Sequence, residues 1–264
     1  MKRGKIMILT VDVGNSNTVI IGYEDTQKKI NKRILTEKKN PDVYYYNEFE
    51  SLQVNPSAIV LSCVVPMITA QVESVLRSLY PCDIHVVSAK TIQNFTIKLD
   101  QPEEIGADFI ATAIGASAQF QSPIIVADIG SASKISVIDS DGSFLGGVII
   151  PGLQTSLNAL VEYIPQLPEV EFDVPQSVIG TNTRDCIQSG IMYGLITQIE
   201  GLTKKMEAEL GNTCTKIITG GYAALIHKNL NDFIYNPDLL NDGLLAIYQK
   251  GYLNATGVFN DNLQ

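Results

Sequence analysis

Apolar positions along the chain fall into short runs broken by turn chemistry, and a helical period shows only between some of those runs. Residues 6–13 read as a strand whose apolar run is interrupted by Thr10 and Asp12, and a turn rich in Gly and Asn separates it from a second run at 18–23. Residues 29–36 add a third strand. Asn40-Pro41-Asp42 then opens a helix to about residue 52, with Pro where a first-turn N–H is not needed. A short apolar strand at 58–62, an amphipathic helix at 66–80 and a strand at 84–88 follow. Three strands, helix, strand, helix, strand is not a plain strand–helix–strand repeat. Residues 89–105 read as loop, and 106–120 as a helix of small residues.

The second half begins the same way. Strands are expected at 124–129, 133–139 and 144–150, with Asp141-Gly142 turning the last pair. Pro151-Gly152 ends that strand and opens a helix to about residue 163, and a long helix covers 183–210. A strand at 215–219 runs into Gly220-Gly221 and a short helix, and a last helix covers about 237–251 before a polar tail at 254–264. Leu9-Thr10-Val11-Asp12-Val13-Gly14 and Ile125-Val126-Ala127-Asp128-Ile129-Gly130 are two copies of one strand ending in Asp-apolar-Gly, 116 residues apart in a chain of 264. A duplication at that spacing predicts two similar α/β lobes facing one cleft, divided as 1–120 and 121–264.

Composition narrows the function. With 45% hydrophobic and 18% charged residues the chain can bury a substantial core. A net charge of −9 and a pI near 4.7 argue against a general nucleic-acid binder. An acidic protein that handles an anionic nucleotide needs a local cation, most simply Mg²⁺. Cys63, Cys82, Cys186 and Cys214 form no Cys-x-x-Cys pair, so zinc ribbons and thioredoxin-like sites fall away, and reduced thiols in the cytoplasm are expected. The two histidines, His85 and His227, are too few for a histidine-rich metal site, and each reads as structural. No stretch is apolar and long enough for a membrane span; the basic start resembles a signal-peptide n-region, but Asp12 interrupts the apolar run and no small-residue cleavage site follows, so it reads better as a short extension ahead of a buried first strand.

The candidate chemistry lies where strands meet glycines. Asp12-Val13-Gly14-Asn15-Ser16-Asn17-Thr18 can present backbone N–H groups as an anion nest, or it is an ordinary tight hairpin; the second Asp-x-Gly turn favours binding. Asp12 and Asp128 cannot contact phosphate directly, so each calls for a cation in between. Gly220-Gly221, at a strand-to-helix junction, can let an adenine ring or a phosphate approach the backbone, or simply connect two elements. Asp108, in Gly106-Ala107-Asp108, is either a helix cap or a general base for a substrate hydroxyl. There is no G-x-G-x-x-G after a strand and no G-x-x-x-x-G-K-[ST], so dinucleotide-binding and P-loop folds are excluded.

The ordered set of motifs resembles the type III pantothenate kinases of the actin and sugar-kinase superfamily. It runs from Asp12-Val13-Gly14-Asn15-Ser16-Asn17-Thr18 through Pro102, Gly106-Ala107-Asp108 and Asp128-Ile129-Gly130 to Leu145-Gly146-Gly147-Val148-Ile149-Ile150-Pro151-Gly152. Leu167-Pro168, Gly180-Thr181-Asn182-Thr183, Gln188-Ser189-Gly190 and Thr219-Gly220-Gly221 continue it. The resemblance implies two duplicated actin-like (ribonuclease H-like) lobes, ATP-dependent phosphorylation of pantothenate and a homodimer, with the helix through Ile187 and Leu202 a candidate interface. It implies that residues 12–18 cradle the ATP phosphates with Asp12 toward Mg²⁺, that Ser131 contacts ATP, and that Gly220 and Gly221 border the adenosine. It further implies Asp108 as the base, Gly106, Ala107, Asp108, Phe109 and Thr183 as the pantothenate site, and Asp128 as the ligand of K⁺ or NH₄⁺.

Three segments depart from the family pattern. Phe109 stands where an arginine is usual, Leu99 where a tyrosine precedes the conserved proline, and Lys134 ends a Ser131-Ala132-Ser133-Lys134 run usually written Thr-Ala-Thr-Thr. Phenylalanine cannot neutralise a carboxylate or developing phosphoryl charge. Two alternatives follow: a kinase for another small hydroxy acid or sugar, and a catalytically weakened nucleotide-binding regulatory homologue.

Overall fold

The computed structural model describes residues 6–253. They form two compact units, each built on its own five-stranded sheet. The first unit takes the described residues up to Thr96, Asp100–Ala118 and those from Leu240 on; the second takes Ile97–Leu99 and Gln119–Leu239.

In the first unit β1 (Met7–Val13), β2 (Asn17–Glu24) and β3 (Gln27–Leu35) form an antiparallel meander. β4 (Ala58–Cys63) pairs parallel with β1, and β5 (Asp83–Val86) parallel with β4, so the order is β3-β2-β1-β4-β5. Parallel neighbours need a crossover, supplied by α1 (Pro41–Glu50) and α2 (Pro66–Leu79), each opened by a proline. Ile68, Val72, Val75 and Leu76 make the buried stripe of α2. With Tyr45 and Phe49 of α1 they join Leu9 and Val11 of β1 in one core. β3 alternates between exposed and half-buried residues and carries lysines, as suits an edge strand.

Alternate residues of β1 point to the opposite face. There Thr10 Oγ1 accepts a hydrogen bond from the Asn241 amide at 2.9 Å, with both residues buried. Asn241 belongs to the last helix, Leu239–Gln249. Tyr23 OH donates to Asp242 Oδ1 at 2.8 Å, and Gln249 Nε2 donates to the Asp25 carbonyl at 3.1 Å. These bonds hold residues 240–253 with the first unit, whereas a division at 120/121 assigns them to the second half. The apolar period reveals the helix but not the sheet that it covers. The small-residue helix α3 (Ala107–Gln119) packs on it closely: a Cβ at Gly243 would overlap the Ala111 carbonyl and lie 3.1 Å from the Gly115 nitrogen.

The second unit repeats the plan. β6 (Ile124–Ile129), β7 (Ala132–Ile138) and β8 (Phe144–Pro151) form the meander. β9 (Thr215–Thr219) runs parallel to β6 and β10 (Ile234–Tyr235) parallel to β9, giving β10-β9-β6-β7-β8. Read from the other end, this is the order of the first sheet, with the Asp-x-Gly strand central in both. The crossovers differ. Two helices, α4 (Leu153–Tyr163) and α5 (Thr183–Leu210), lie between β8 and β9, and only α6 (Ala223–Ile226) with a short 3₁₀ turn separates β9 from β10. Asn182 caps α5 by accepting from the Asp185 N–H at 3.1 Å, and left-handed Gly211 ends it. The Asp141-Gly142 turn forms as expected, with Gly142 at φ +81 and Asp139 N–H bonded to the Ser143 carbonyl at 2.8 Å. The sequence pattern misses β10 and the 3₁₀ turn Pro102–Glu104, both too short to show a period. The last helix, α7 (Leu239–Gln249), is shorter than the pattern predicts, and the tail expected at 254–264 lies outside the described residues.

His85 is buried with its ring against Tyr248, and His227 stacks on Tyr235 at 4.3 Å, so both sit in packing roles. Among the described residues no helix is long and apolar enough to cross a membrane.

An alanine in a helix interior ordinarily stabilises by about 1 kcal/mol over glycine. At Gly243 the added methyl meets backbone, and overpacking of that kind costs about 1–3 kcal/mol. Gly243→Ala is therefore expected to lower the thermal midpoint. A midpoint raised by calorimetry would show that α3 and α7 are not in close contact.

Candidate functional site

Asp12 is the next-to-last residue of β1, paired with Val19 of β2 on one side and with Ser62 of β4 on the other. Ser62 Oγ donates to Asp12 Oδ1 at 3.1 Å. Burial, with a smaller contribution from the Asp12 charge, pushes the neighbouring Cys63 thiol up, so a neutral thiol flanks the carboxylate. Beyond Asp12 the chain turns tightly: Gly14 N–H donates to the Asn17 carbonyl at 3.0 Å. Thr36 ties the turn down from β3's end, with Oγ1 donating to the Gly14 carbonyl at 2.8 Å and N–H donating to the Ser16 carbonyl at 3.0 Å.

Of the expected phosphate cradle, Asn15 and Ser16 are exposed at the tip, and Gly14 and Asn17 are half-buried. Val13 and Thr18 are fully buried. The Thr18 hydroxyl lies 2.9 Å from Tyr45 OH and 3.1 Å from Thr36 Oγ1. Its side chain is thus turned into the core and anchors the hairpin to α1, because period 2 along β2 puts Thr18 and Ile20 on the same buried face. The outward surface of the turn is Gly14 to Asn17.

Asp108 is the second residue of α3. Its Oδ1 accepts the Phe109 N–H at 2.8 Å, and the Thr112 hydroxyl bonds back to the Asp108 carbonyl. A Cβ at Gly106 would overlap Asp108 Oδ1, so only glycine lets the carboxylate fold over the helix start. Ala107 is buried, and Asp108 and Phe109 are half-buried. Asp12 shares its strand face with Thr10, the face that α7 covers, and α3 packs on α7. Asp12 and the start of α3 are accordingly on the same side of the first sheet.

In the second unit Asp128 holds the place in β6 that Asp12 holds in β1, between Thr219 of β9 and Lys134 of β7. Lys134 Nζ is 2.9 Å from Asp128 Oδ2, with the two side chains 14% and 16% exposed. The carboxylate expected to hold a free monovalent cation is therefore paired with an ammonium of the chain itself. Gly220 has φ +96, and a Cβ there would overlap Asp128 Oδ1 and the Ile129 backbone. Tyr222 N–H donates to the Ile129 carbonyl at 2.9 Å, pressing Gly220-Gly221 onto the Asp128 turn. Ser131 follows in that turn, and its carbonyl accepts from Thr155 Oγ1 at 2.9 Å and from Gly152 N–H at 3.3 Å. Thr183 is exposed in the first turn of α5, and Leu99 packs toward Gly146 of β8.

The structure thus gathers Asp12 with 14–17 in one turn of the first unit, and Asp128, Ser131, Gly220 and Gly221 in one corner of the second. Ser62, Thr36 and Thr155 shape these corners without any sequence motif. Ser62 is brought there by the parallel register of β4 on β1, Thr36 by the end of the β2–β3 meander, and Thr155 by the first turn of α4.

A family model described as type III pantothenate kinase matches residues 8–205. A type III pantothenate kinase from Roseiflexus sp. (strain RS-1) is 36% identical over 251 residues, covering 92% of this chain and 98% of that protein. One from Exiguobacterium sibiricum is 34% identical over 252 residues, covering 92% of this chain and 99% of that one. Among solved structures, the archaeal actin homologue Ta0583 has TM-score 0.54 over 93% of this chain and 100% of that chain, at 12% identity, which is a likeness of fold. The duplicated sheets are actin-like, and the chain belongs to the type III pantothenate kinases.

Proposed function

We propose residue roles for the family's reaction, transfer of the γ-phosphoryl group of ATP to the primary hydroxyl of pantothenate, giving 4′-phosphopantothenate on the way to coenzyme A. The observation that carries the reading is the β1–β2 turn, where a carboxylate at a central strand end is followed at once by a tight, partly exposed glycine turn. Phosphoryl transfer needs positioning and charge neutralisation more than covalent chemistry, and a turn braced by Thr36 supplies the first. Residues Gly14 to Asn17 face the phosphates, with Val13 and Thr18 holding the turn from inside. In the second unit Ser131, Gly220 and Gly221 take the nucleotide.

The family's reaction uses ATP with a divalent metal, and Asp12 fits Mg²⁺. That ion binds through one or two carboxylates together with phosphate oxygens and water. Among the described residues no group of three His, Cys, Asp or Glu forms a closed metal cage. When bound, Mg²⁺ would neutralise charge on the phosphates; Ser62 keeps the Asp12 carboxylate oriented for it.

Asp108 accepts the proton of the pantothenate hydroxyl. Its carboxylate, held over the start of α3 by the Phe109 N–H, keeps a fixed orientation. Gly106, Ala107, Phe109 and Thr183 border the acceptor. The four cysteines are all free, as a cytoplasmic enzyme requires.

A homodimer through α5 completes the reading. Gly190, Gly194 and Gly201 share one face of α5, and a Cβ at any of them would meet nothing within 4 Å. Val178 and Ile179, just ahead of this helix, are 63% and 80% exposed. An open face beside exposed apolar side chains suits a self-complementary contact.

Asp108→Asn is expected to fold and bind ATP while losing about 10²-fold or more of turnover, the scale of a general base. Near-normal turnover would leave Asp108 a helix cap.

Phe109 favours a second reading, an acceptor less polar than pantothenate. A charge-assisted hydrogen bond contributes about 1.5–3 kcal/mol, so Phe109→Arg is expected to lower KM for pantothenate. An unchanged or higher KM in a folded variant, with turnover on an uncharged hydroxylated acceptor, favours the second reading.

Light scattering is expected to give twice the 28.8 kDa chain mass, and Gly194→Arg the single mass. A monomeric wild type overturns the dimer.

A further inference from the structure

We propose that Lys134 is a built-in monovalent cation: its ammonium holds the place beside Asp128 that a free K⁺ or NH₄⁺ would take, so this chain needs no added monovalent cation. The inference rests on the kinase reading and concerns the same corner of the second unit.

Register places the charge. Asp128 and Lys134 are direct partners across the antiparallel β6–β7 ladder, where facing Cβ atoms are about 5 Å apart. The ion pair follows from the hairpin rather than from a wandering surface side chain. Lys134 Nζ stands 2.9 Å from Oδ2, and both side chains are mostly buried. The other oxygen, Oδ1, lies under Gly220, where even a methyl group would overlap it. One carboxylate oxygen is therefore already paired with a cation, and the other lies close to the Gly220 backbone. A second cation beside Nζ would also meet like charge.

The duplication supplies an internal comparison. In the first unit the partner of Asp12 on the equivalent strand is Val19, which brings no charge, and Asp12 is met instead by the Ser62 hydroxyl. At Asp128 the cross-strand partner thus brings a cation, and at Asp12 it does not. An alkyl ammonium carries the charge of K⁺ and about the size of NH₄⁺, and its tether removes the need to capture an ion from solution.

The test measures pantothenate phosphorylation with Mg²⁺ and ATP in tetramethylammonium chloride, KCl or NH₄Cl at one ionic strength. The wild type is expected to show the same kcat and the same KM for ATP in all three. Lys134→Thr leaves Asp128 partly buried without its cation, with a residue suited to a strand. It is expected to lose about 10²-fold or more of turnover in tetramethylammonium, the scale of losing one charge-stabilising group, and to recover in KCl or NH₄Cl. Stimulation of the wild type by K⁺, full activity of Lys134→Thr in tetramethylammonium, or a loss that neither ion rescues would each overturn the proposal. If Lys134→Thr fails to fold, Lys134→Gln, which keeps the aliphatic stem, is read by the same criteria. If pantothenate is not phosphorylated in any buffer, the kinase reading fails by itself. Calorimetric affinity for ATP with Mg²⁺ then decides the cation question: equal wild-type values in KCl and tetramethylammonium support the built-in cation, and tighter binding in KCl overturns it.

Discussion

The pairing register of the two central hairpins is the constraint on which the rest of the molecule depends. In each unit one strand ends in Asp-apolar-Gly, pairs antiparallel with the strand after the turn, and pairs parallel with a strand that returns by a crossover. A slip of one residue would turn Asp12 into the α1–α2 core and move Val11 and Val13 onto the face that α7 covers, at the loss of several core contacts. Because burial fixes the register so strongly, it also fixes the polar partners: Ser62 beside Asp12, and Lys134 and Thr219 beside Asp128.

Close backbone approach does the remaining positioning. Gly106 makes room for the Asp108 carboxylate, Gly220 lies on the Asp128 carboxylate, and Gly243 brings α7 against α3. At Gly220 and Gly243 a Cβ would meet backbone, and at Gly106 it would displace the Asp108 carboxylate. Stability and function are thus coupled through the same small residues. The glycines that shape the corners spend conformational entropy, and the apolar faces of the two sheets supply the compensating burial.

The chemistry of the family is dominated by negative charge on a nucleotide, and this chain carries a net charge of −9. Every favourable charge near the phosphates must therefore be local. The duplicated aspartates have different surroundings. Asp12 faces Val19 across its hairpin and accepts from the Ser62 hydroxyl, whereas Asp128 faces Lys134 and is paired with its ammonium. Equivalent positions in a duplicated fold have diverged in electrostatics while keeping the same backbone.

The period of apolar residues, the turn glycines and the repeated Asp-x-Gly by themselves determined nearly all of the elements, the duplication and the family. These signals are local: a strand's alternation, a proline at a helix start and a left-handed glycine at Gly142 each act within a few residues. Asp12, Asp108, Asp128 and the paired glycines 220 and 221 were legible as candidates for the same reason. Tertiary structure alone decided that the last helix returns to the first sheet, since that rests on a buried bond between Asn241 and Thr10, 231 residues apart. It alone turned Thr18 into the core, through Tyr45 and Thr36, and set Lys134 against Asp128 instead of in solvent. Contacts of that kind depend on which strands the crossovers bring side by side, and no pattern of neighbours along the chain records it.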